Sequence, residues 1–275
     1  MQIYGIDFTS RPKSSKPITC LHCVLKGNRL RANSLAEWYD FKAFEAALRR
    51  PGPWVAGIDF PFGQARKFIE TIGWPTTWQG YSEHVMTLGR AGFRAALDNY
   101  RASRPKGDKE HRRTTDVAAG ALSPQKLYGT PVGLMFFEGA PRLRTAGVTI
   151  PGLQAGDPDR IVVEAYPGIL ARSIIGRRSY KQDTKAKQTA DQQQARKDLL
   201  QALINNAVYR THGLHVEAPL WLADDPGADH LDALLCAIQA AWAWTQRDRD
   251  FGAPDSTDPL EGWIADPTLL TPTKP

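Results

Sequence analysis

The tetrapeptide Gly5-Ile6-Asp7-Phe8 recurs as Gly57-Ile58-Asp59-Phe60. Each copy follows a short apolar run, and this pattern predicts two β-strands that end in Asp7 and Asp59. A buried carboxylate is costly unless it is hydrogen-bonded, neutralised or bound to a cation. Either aspartate could instead cap the turn after its strand. Two strands that end alike could, however, hold both carboxylates side by side at one edge of a sheet.

Three further acidic residues occur late in the chain at comparable positions. Glu164 ends the apolar run IVVE, while Asp229 and Asp232 fall in the first turn of a very apolar predicted helix. Residues three apart share one face of a helix. Asp229 could simply favour the positive end of the helix dipole. Solvation explains Asp232 poorly, because it is followed at once by Ala233-Leu234-Leu235.

Carboxylates gathered at one place repel each other and raise their own pKa values unless cations occupy the cluster. Hard divalent cations such as Mg²⁺ and Mn²⁺ prefer such oxygen ligands. Two of these ions roughly 3.5–4 Å apart can activate a water molecule and stabilise the leaving oxygen of a phosphodiester. The acidic residues therefore predict a site for Mg²⁺ or Mn²⁺.

The order of predicted elements indicates an α/β protein. With 275 residues, the chain suits one large domain, residues 1–275, or a domain that carries an insertion. The first part reads β-β-β-α-β, with a hairpin at Gly27-Asn28 and a helix over residues 36–50. Residues 61–158 are less regular and are expected to form an insertion or cap over the sheet edge. Regularity returns with a strand at 160–164 and helices at 167–175, 188–208 and 229–245.

Composition limits the protein class. The chain is 42% hydrophobic, has a formal charge of +6 and contains no apolar run long enough for a membrane span. No signal segment is recognisable at the N-terminus, so a cytoplasmic location is expected. Cys20 and Cys23 form a CxxC, but no second half of a zinc site follows, and both are interpreted as strand residues.

The positive charge favours a polyanionic partner, and nucleic acid is the one expected here, although many basic proteins never bind it. Two basic runs are candidates for contacts with a phosphate backbone, although either could be a solvated surface loop. Trp74 and Trp78, in a predicted loop, are candidates for stacking on bases. The basic candidates are Arg101, Arg104, Lys106, Arg112, Arg113, Arg177 and Arg178.

The element order, with acids on strand one, strand four and a late helix, resembles the ribonuclease H fold, a mixed central sheet with flanking helices. The motifs YGIDFTS, GIDFPFG, VVEAYPG and DHLDALLCA more closely resemble the predicted ribonuclease H-like nucleases of domain-of-unknown-function family 429. That resemblance covers the chain in outline.

The resemblance implies metal-dependent phosphodiester hydrolysis of nucleic acid, with structure-selective cleavage as one possibility. In this nuclease hypothesis Asp7 bridges two metal ions, Asp232 holds one ion, and Asp59 or Glu164 holds the other. Asp229 is a second or alternate ligand. The implied catalytic set is thus Asp7, Asp59, Glu164 and Asp232, with Asp229 added for metal binding.

Two alternatives remain open. A phosphotransferase of the actin and sugar-kinase superfamily would use similar strand-end loops to cradle phosphate. Its loops need a glycine where Thr9 stands, and Pro61 offers no N–H to a phosphate. The other alternative is a catalytically silent nucleic-acid-binding protein, which has no reason to keep several mutually repelling carboxylates together.

Overall fold

The computed structural model describes residues 1–270, and within them seven strands form one mixed sheet. The sheet order is β5-β6-β4-β1-β2-β3-β7. Strands β4 and β6 run parallel to β1, whereas β2 is antiparallel to both β1 and β3. The strands are β1 (Gln2–Asp7), β2 (Ile18–Lys26), β3 (Arg29–Trp38), β4 (Trp54–Ile58), β5 (Val148–Thr149), β6 (Asp157–Glu164) and β7 (His215–Glu217).

Helices cover both faces of the sheet. The α-helices are α1 (Phe41–Leu48), α2 (Arg66–Ile72), α3 (Trp78–Ala102), α4 (Thr114–Ala119), α5 (Val132–Ala146), α6 (Pro167–Ile175), α7 (Ala190–Ile204), α8 (Tyr209–His212) and α9 (Asp229–Thr245). Short 3-10 helices lie at Lys185–Lys187, Leu220–Ala223, Arg247–Gly252 and Pro267–Leu269. No helix in residues 1–270 combines the length and apolar character that crossing a membrane would require.

Alternate residues of the central strands enter two different hydrophobic cores. Val55 belongs to the core beneath α6, α7 and α9, while Ala56 belongs to the core beneath α1, α2, α3 and α5. Ile161 and Val162 divide in the same way on β6. This alternation follows from the two-residue period of a strand. The sheet is therefore the shared middle layer of a three-layer α/β structure.

Several predicted elements are confirmed. The strands that carry the GIDF repeats, the hairpin of β2 and β3, and helices α6 and α9 all form where the sequence predicts them. Cys20 and Cys23 are buried on β2 and enter different cores, as expected for strand residues three apart.

One predicted boundary and one segment predicted as irregular are wrong. Strand β3 continues to Trp38, so α1 begins at Phe41 and not at residue 36. The side chain of Asp40 fixes this start, because it accepts a hydrogen bond of 2.9 Å from the backbone N–H of Ala43. Residues 132–146, predicted as irregular, form α5 although Pro141 lies inside the helix.

The segment 61–158, expected as an insertion or cap over the sheet edge, covers most of one face of the sheet, beside α1. Phe68, Phe93 and Phe136 of this segment are buried in the same core as Ile6 and Ile58 of the strands. The segment therefore supplies most of one helical layer.

Candidate acidic site at the carboxyl edge of the sheet

The two GIDF glycines allow α9 to pack directly on the sheet. Gly5 and Gly57 are paired neighbours on β1 and β4. A Cβ added at Gly5 would lie 1.8 Å from the carbonyl oxygen of Ala233, and one at Gly57 would lie 2.3 Å from that of Cys236. Because residues two apart share a strand face, each GIDF aspartate emerges on the α9 side.

This packing brings the GIDF aspartates close to the start of α9. Asp7 is buried, and the burial raises its pKa well above the usual range, with further increases from Asp229, Asp232 and Asp59. Burial also raises the pKa of Asp59, to about 7; Lys181 opposes this shift, and Asp232 and Glu164 add to it. Four of the predicted acids, Asp7, Asp59, Asp229 and Asp232, therefore repel one another and form a single electrostatic group.

Asp232 is fixed by two side chains that were not predicted as its partners: Tyr180, and Lys181, which belongs to the second basic run considered for phosphate contacts. Its side chain is 2% exposed. The hydroxyl of Tyr180 donates to Oδ1 at 2.7 Å, and Nζ of Lys181 donates to Oδ2 at 2.6 Å. Both donors lie in the loop between α6 and α7, so this loop closes over the start of α9.

Asp229 forms an ion pair with a different lysine, Lys16. Nζ of Lys16 lies 2.8 Å from Oδ1 and 3.1 Å from Oδ2 of Asp229, and it also donates to Asp183 at 3.2 Å. Burial raises the pKa of Asp229 although Lys16 lowers it. Lys16 comes from the loop between β1 and β2, 213 residues away in the sequence. No local pattern links it to the acidic residues.

Glu164 lies beside β4 at the same edge, but its carboxylate is already paired. Nη1 of Arg113 donates to Oε2 at 2.7 Å, Nη2 donates to Oε1, and the backbone N–H of Phe62 donates to Oε2 at 2.8 Å. Arg113 is 1% exposed and also pairs with buried Asp116. The predicted contact between Arg113 and nucleic acid is therefore corrected, because its guanidinium is enclosed in a buried ion-pair network.

The donor set suits a hard divalent cation in its chemistry, since Asp7, Asp59, Asp229 and Asp232 offer only carboxylate oxygens. Their arrangement does not form a complete metal site: among residues 1–270, no three His, Cys, Asp or Glu side chains are placed to hold one metal ion. Two ammonium groups, of Lys16 and Lys181, stand against the acids instead. A metal ion would have to displace at least one of these contacts.

The acids line a cleft that is open to solvent. Its inner part has a volume of about 520 Å³ and is bordered by the loop after β1, the segment before α5 and the loop after α6. An outer part of about 570 Å³ shares Thr9, Lys16 and Asp229 with it and extends along the loop after β1. Both volumes are in the range of small-molecule sites.

The remaining predicted nucleic-acid residues lie away from this cleft. Within the described chain, none of the seven basic candidates lines either part of it. Arg101, Arg104 and Arg178 are engaged in ion pairs with acidic side chains. The exposed candidates without a carboxylate within 4 Å among residues 1–270 are Lys106, Arg112 and Arg177.

The suggestion that Trp74 and Trp78 stack on bases is wrong. Their exposed fractions are 7% and 1%, and both belong to the core beneath α1, α2, α3 and α5. The indole N–H of Trp78 donates to the carbonyl of Phe62 at 2.7 Å, so this side chain serves packing.

Comparison with known proteins identifies the family. Residues 5–257 match the family model described as "Protein of unknown function (DUF429)". This match spans most of the 275 residues, and the chain belongs to that family. Searches among curated proteins and among solved structures found no match. The family description assigns no activity, so the function has to be inferred from the site.

Proposed function

We propose that the protein is a divalent-metal-dependent nuclease that hydrolyses phosphodiester bonds through Asp7, Asp59 and Asp232, on a ribonuclease H-like fold. The observation that carries the proposal is the convergence of these buried and half-buried carboxylates, and of Asp229, at an open cleft. Support for the fold comes from the antiparallel β1-β2-β3 meander, with β4 and β6 parallel to β1.

Charge balance favours a cation at this site. The five aspartates that line the inner cleft include Asp183 and carry five negative charges when ionised, and Lys16 and Lys181 supply two positive charges, which leaves three negative charges. A divalent cation in place of one lysine contact would reduce this excess. A buried acidic group without such compensation shifts its pKa upward, as Asp7 does.

Each residue has a distinct part in this proposal. Asp7, Asp59 and Asp232 would hold Mg²⁺ or Mn²⁺, with Asp229 as a further ligand, and the metal would supply an activated water and stabilise the leaving oxygen. Tyr180 holds Asp232 in one orientation through Oδ1 and leaves Oδ2 to Lys181. Glu164 is assigned a structural part, because Arg113, whose side chain is 1% exposed, and the backbone of Phe62 occupy its oxygens, whereas the Lys181 side chain on Asp232 is 51% exposed and can be displaced.

The test combines metal binding with cleavage. Calorimetry with Mn²⁺ and Mg²⁺ would compare the wild type with Asp7→Asn, and with Asp98→Asn as a control on the exposed side of α3. The same proteins would then be assayed on labelled single-stranded, duplex and branched DNA and RNA. We expect Asp7→Asn to lose metal binding and at least about 100-fold of the cleavage rate, about 2.7 kcal/mol in barrier height. Asp98→Asn should retain both.

Three results would contradict the proposal. One is a folded wild-type protein that binds neither metal in the presence of substrate. The second is cleavage that survives unchanged in Asp7→Asn. Metal binding without cleavage of any of these substrates would also reject the nuclease activity, and ATP would then be the next ligand to examine.

A further inference from the structure

The outer cleft is built from a loop that directly follows the first site aspartate. Residues 9–16 connect Asp7 on β1 to β2, and Arg11, Lys13 and Lys16 of this loop border the outer cleft together with Arg90 of α3. Arg11, Lys13 and Arg90 border only the outer part, whereas Asp7, Asp59 and Asp232 border only the inner part. The two parts form one continuous cleft, because they share Thr9, Ser10 and Lys16.

The loop is held in a defined conformation. Nη1 of Arg90 donates to the carbonyl of Ser10 at 3.1 Å, and the same guanidinium pairs with Glu138 of α5. The backbones of Lys13 and Lys16 exchange two hydrogen bonds of 3.1 and 3.0 Å. The cationic side chains of Arg11 and Lys13 therefore extend from a fixed backbone, a few residues beyond Asp7.

The acids of the outer cleft are satisfied within the protein, whereas two of its cations are not. Asp225 accepts hydrogen bonds from the backbone N–H groups of Gly227 and Asp229, at 3.0 and 2.7 Å. Asp183 pairs with Lys16. Among residues 1–270, the exposed side chains of Arg11 and Lys13 have no carboxylate within 4 Å. Arg11 and Lys13 are therefore the two cations of this part of the cleft that remain free to pair with an anionic ligand.

We infer that Arg11 and Lys13 bind a backbone phosphate of the nucleic-acid strand whose neighbouring phosphodiester lies at the carboxylates. This inference rests on the proposed nuclease function. It places the path of the substrate strand along the cleft, from the acids of the inner part toward the loop 9–16. It replaces the basic run 101–113, which lines neither part of the cleft, as the principal contact with substrate. Arg90 is a positioning residue that fixes the loop through Ser10.

The test measures binding in the absence of cleavage. Fluorescein-labelled single-stranded DNA and RNA of about 12 nucleotides would be titrated in EDTA at several salt concentrations, with anisotropy as the readout. The variants are Arg11→Ala/Lys13→Ala and the matched control Lys26→Ala/Arg31→Ala, which removes one lysine and one arginine at the far end of β2 and β3. All four side chains are exposed, so each double variant is expected to fold.

We expect the cleft variant to bind both probes more weakly than the control variant. We also expect the slope of log affinity against log salt to fall by roughly one for each phosphate that the variant no longer neutralises. If the wild type cleaves nucleic acid with Mn²⁺ but the two double variants bind equally, the inference is overturned and the nuclease function stands. If the cleft variant alone loses binding while no metal-dependent cleavage occurs, the phosphate site stands and the nuclease proposal fails. If the wild type binds neither the DNA probe nor the RNA probe, the inference is overturned.

Discussion

Asp59 is placed where its charge is poorly compensated. Burial favours its neutral form, Asp232 and Glu164 add repulsion, and Lys181 relieves only part of it, so its pKa rises to about 7. An aspartate in an unfolded chain has a pKa of about 3.9. The folded protein therefore binds this proton more tightly than the unfolded chain does, and protonation of Asp59 stabilises the fold.

The sign of this linkage leads to a pH-dependent prediction for the metal-free protein. The contribution of Asp59 to stability is complete below about pH 4 and is lost as the pH rises to about 7. Asp59→Asn removes the ionisation and keeps the shape. We expect the variant to be more stable than the wild type at pH 8, by on the order of 2 kcal/mol, and to match it near pH 4. Urea unfolding in EDTA at both pH values measures the difference.

Asp198→Asn is the control for this experiment. Hydrogen bonds from Gln194 and Arg178 lower the pKa of Asp198, so its removal should give no gain in stability at pH 8. Equal stability of Asp59→Asn and wild type at both pH values would mean that neither burial nor charge repulsion disfavours the ionised form of Asp59. Addition of Mn²⁺ should favour the wild type, because only its carboxylate would bind the cation strongly.

Sequence reasoning reaches the acids of the site but not their partners. Asp7 and Asp59 are recognisable because an aspartate that ends an apolar strand conflicts with burial, and that conflict is visible locally. Lys16 and Lys181 stand in polar, basic segments where a lysine has no local peculiarity. Their pairing with Asp229 and Asp232 arises only when distant loops meet. The basic composition of the loop directly after Asp7 is the one available signal for Lys16.

The element that sets the site geometry is α9. Ala233 and Ala237 face Gly5, and Cys236 and Ala240 face Gly57, so the helix backbone lies against the sheet. This contact fixes the position of Asp229 and Asp232 relative to the ends of β1 and β4. The repeat therefore has two functions: its glycine admits the helix, and its aspartate meets the acids that the helix carries.

Gly57→Ala tests this coupling between packing and site. The added Cβ would lie 2.3 Å from the backbone carbonyl of Cys236, and backbone atoms cannot yield as a flexible side chain would. We expect a loss of about 1–3 kcal/mol in the free energy of unfolding, together with weaker Mn²⁺ binding, because α9 must shift away from β4. Thermal unfolding and calorimetry measure the two effects.

Gly92→Ala in α3 provides the matched control. Its Cβ would meet only the Leu88 side chain at 3.3 Å, and alanine favours a helix over glycine by about 1 kcal/mol. Its stability should stay near or above that of the wild type, with metal binding unchanged. If Gly57→Ala behaved like Gly92→Ala, close contact between α9 and the sheet would not determine the site.

Elements with a clear hydrophobic pattern can be predicted from the sequence, whereas elements that depend on tertiary contacts cannot. Helix α9 is apolar on nearly all sides, a pattern that by itself indicates burial against the sheet. Helix α5 escapes prediction because Pro131, Gly133, Gly139 and Pro141 mimic a loop. Gly139 instead makes room for Phe60, since a Cβ there would lie 2.3 Å from the ring. That contact has no signature in the local sequence.

At the scale of the whole molecule, the sheet joins two helical layers that come from different parts of the sequence. Helices α1, α2, α3 and α5 form one layer, and α6, α7 and α9 form the other. The irregular pattern of segment 61–158 predicts an insertion or cap, but its buried aromatic residues pack on the strands. Arg113 of this segment also forms the buried ion pair with Glu164 on β6. Loss of one partner in such a pair typically costs about 3–5 kcal/mol.

This shared middle layer predicts that both helical layers unfold together. Each central strand sends neighbouring residues to opposite cores, as Val55 and Ala56 do, so release of either layer would expose apolar strand residues to water. Hydrogen exchange followed by mass spectrometry, under mildly destabilising urea, would compare peptides from α3 and α5 with peptides from α9. We expect their slowest amides to exchange with the same opening free energy and the same urea dependence. Earlier exchange throughout 61–158 would instead identify that segment as an independently unfolding cap, and the cleft between it and α9 would then open without loss of the acidic site.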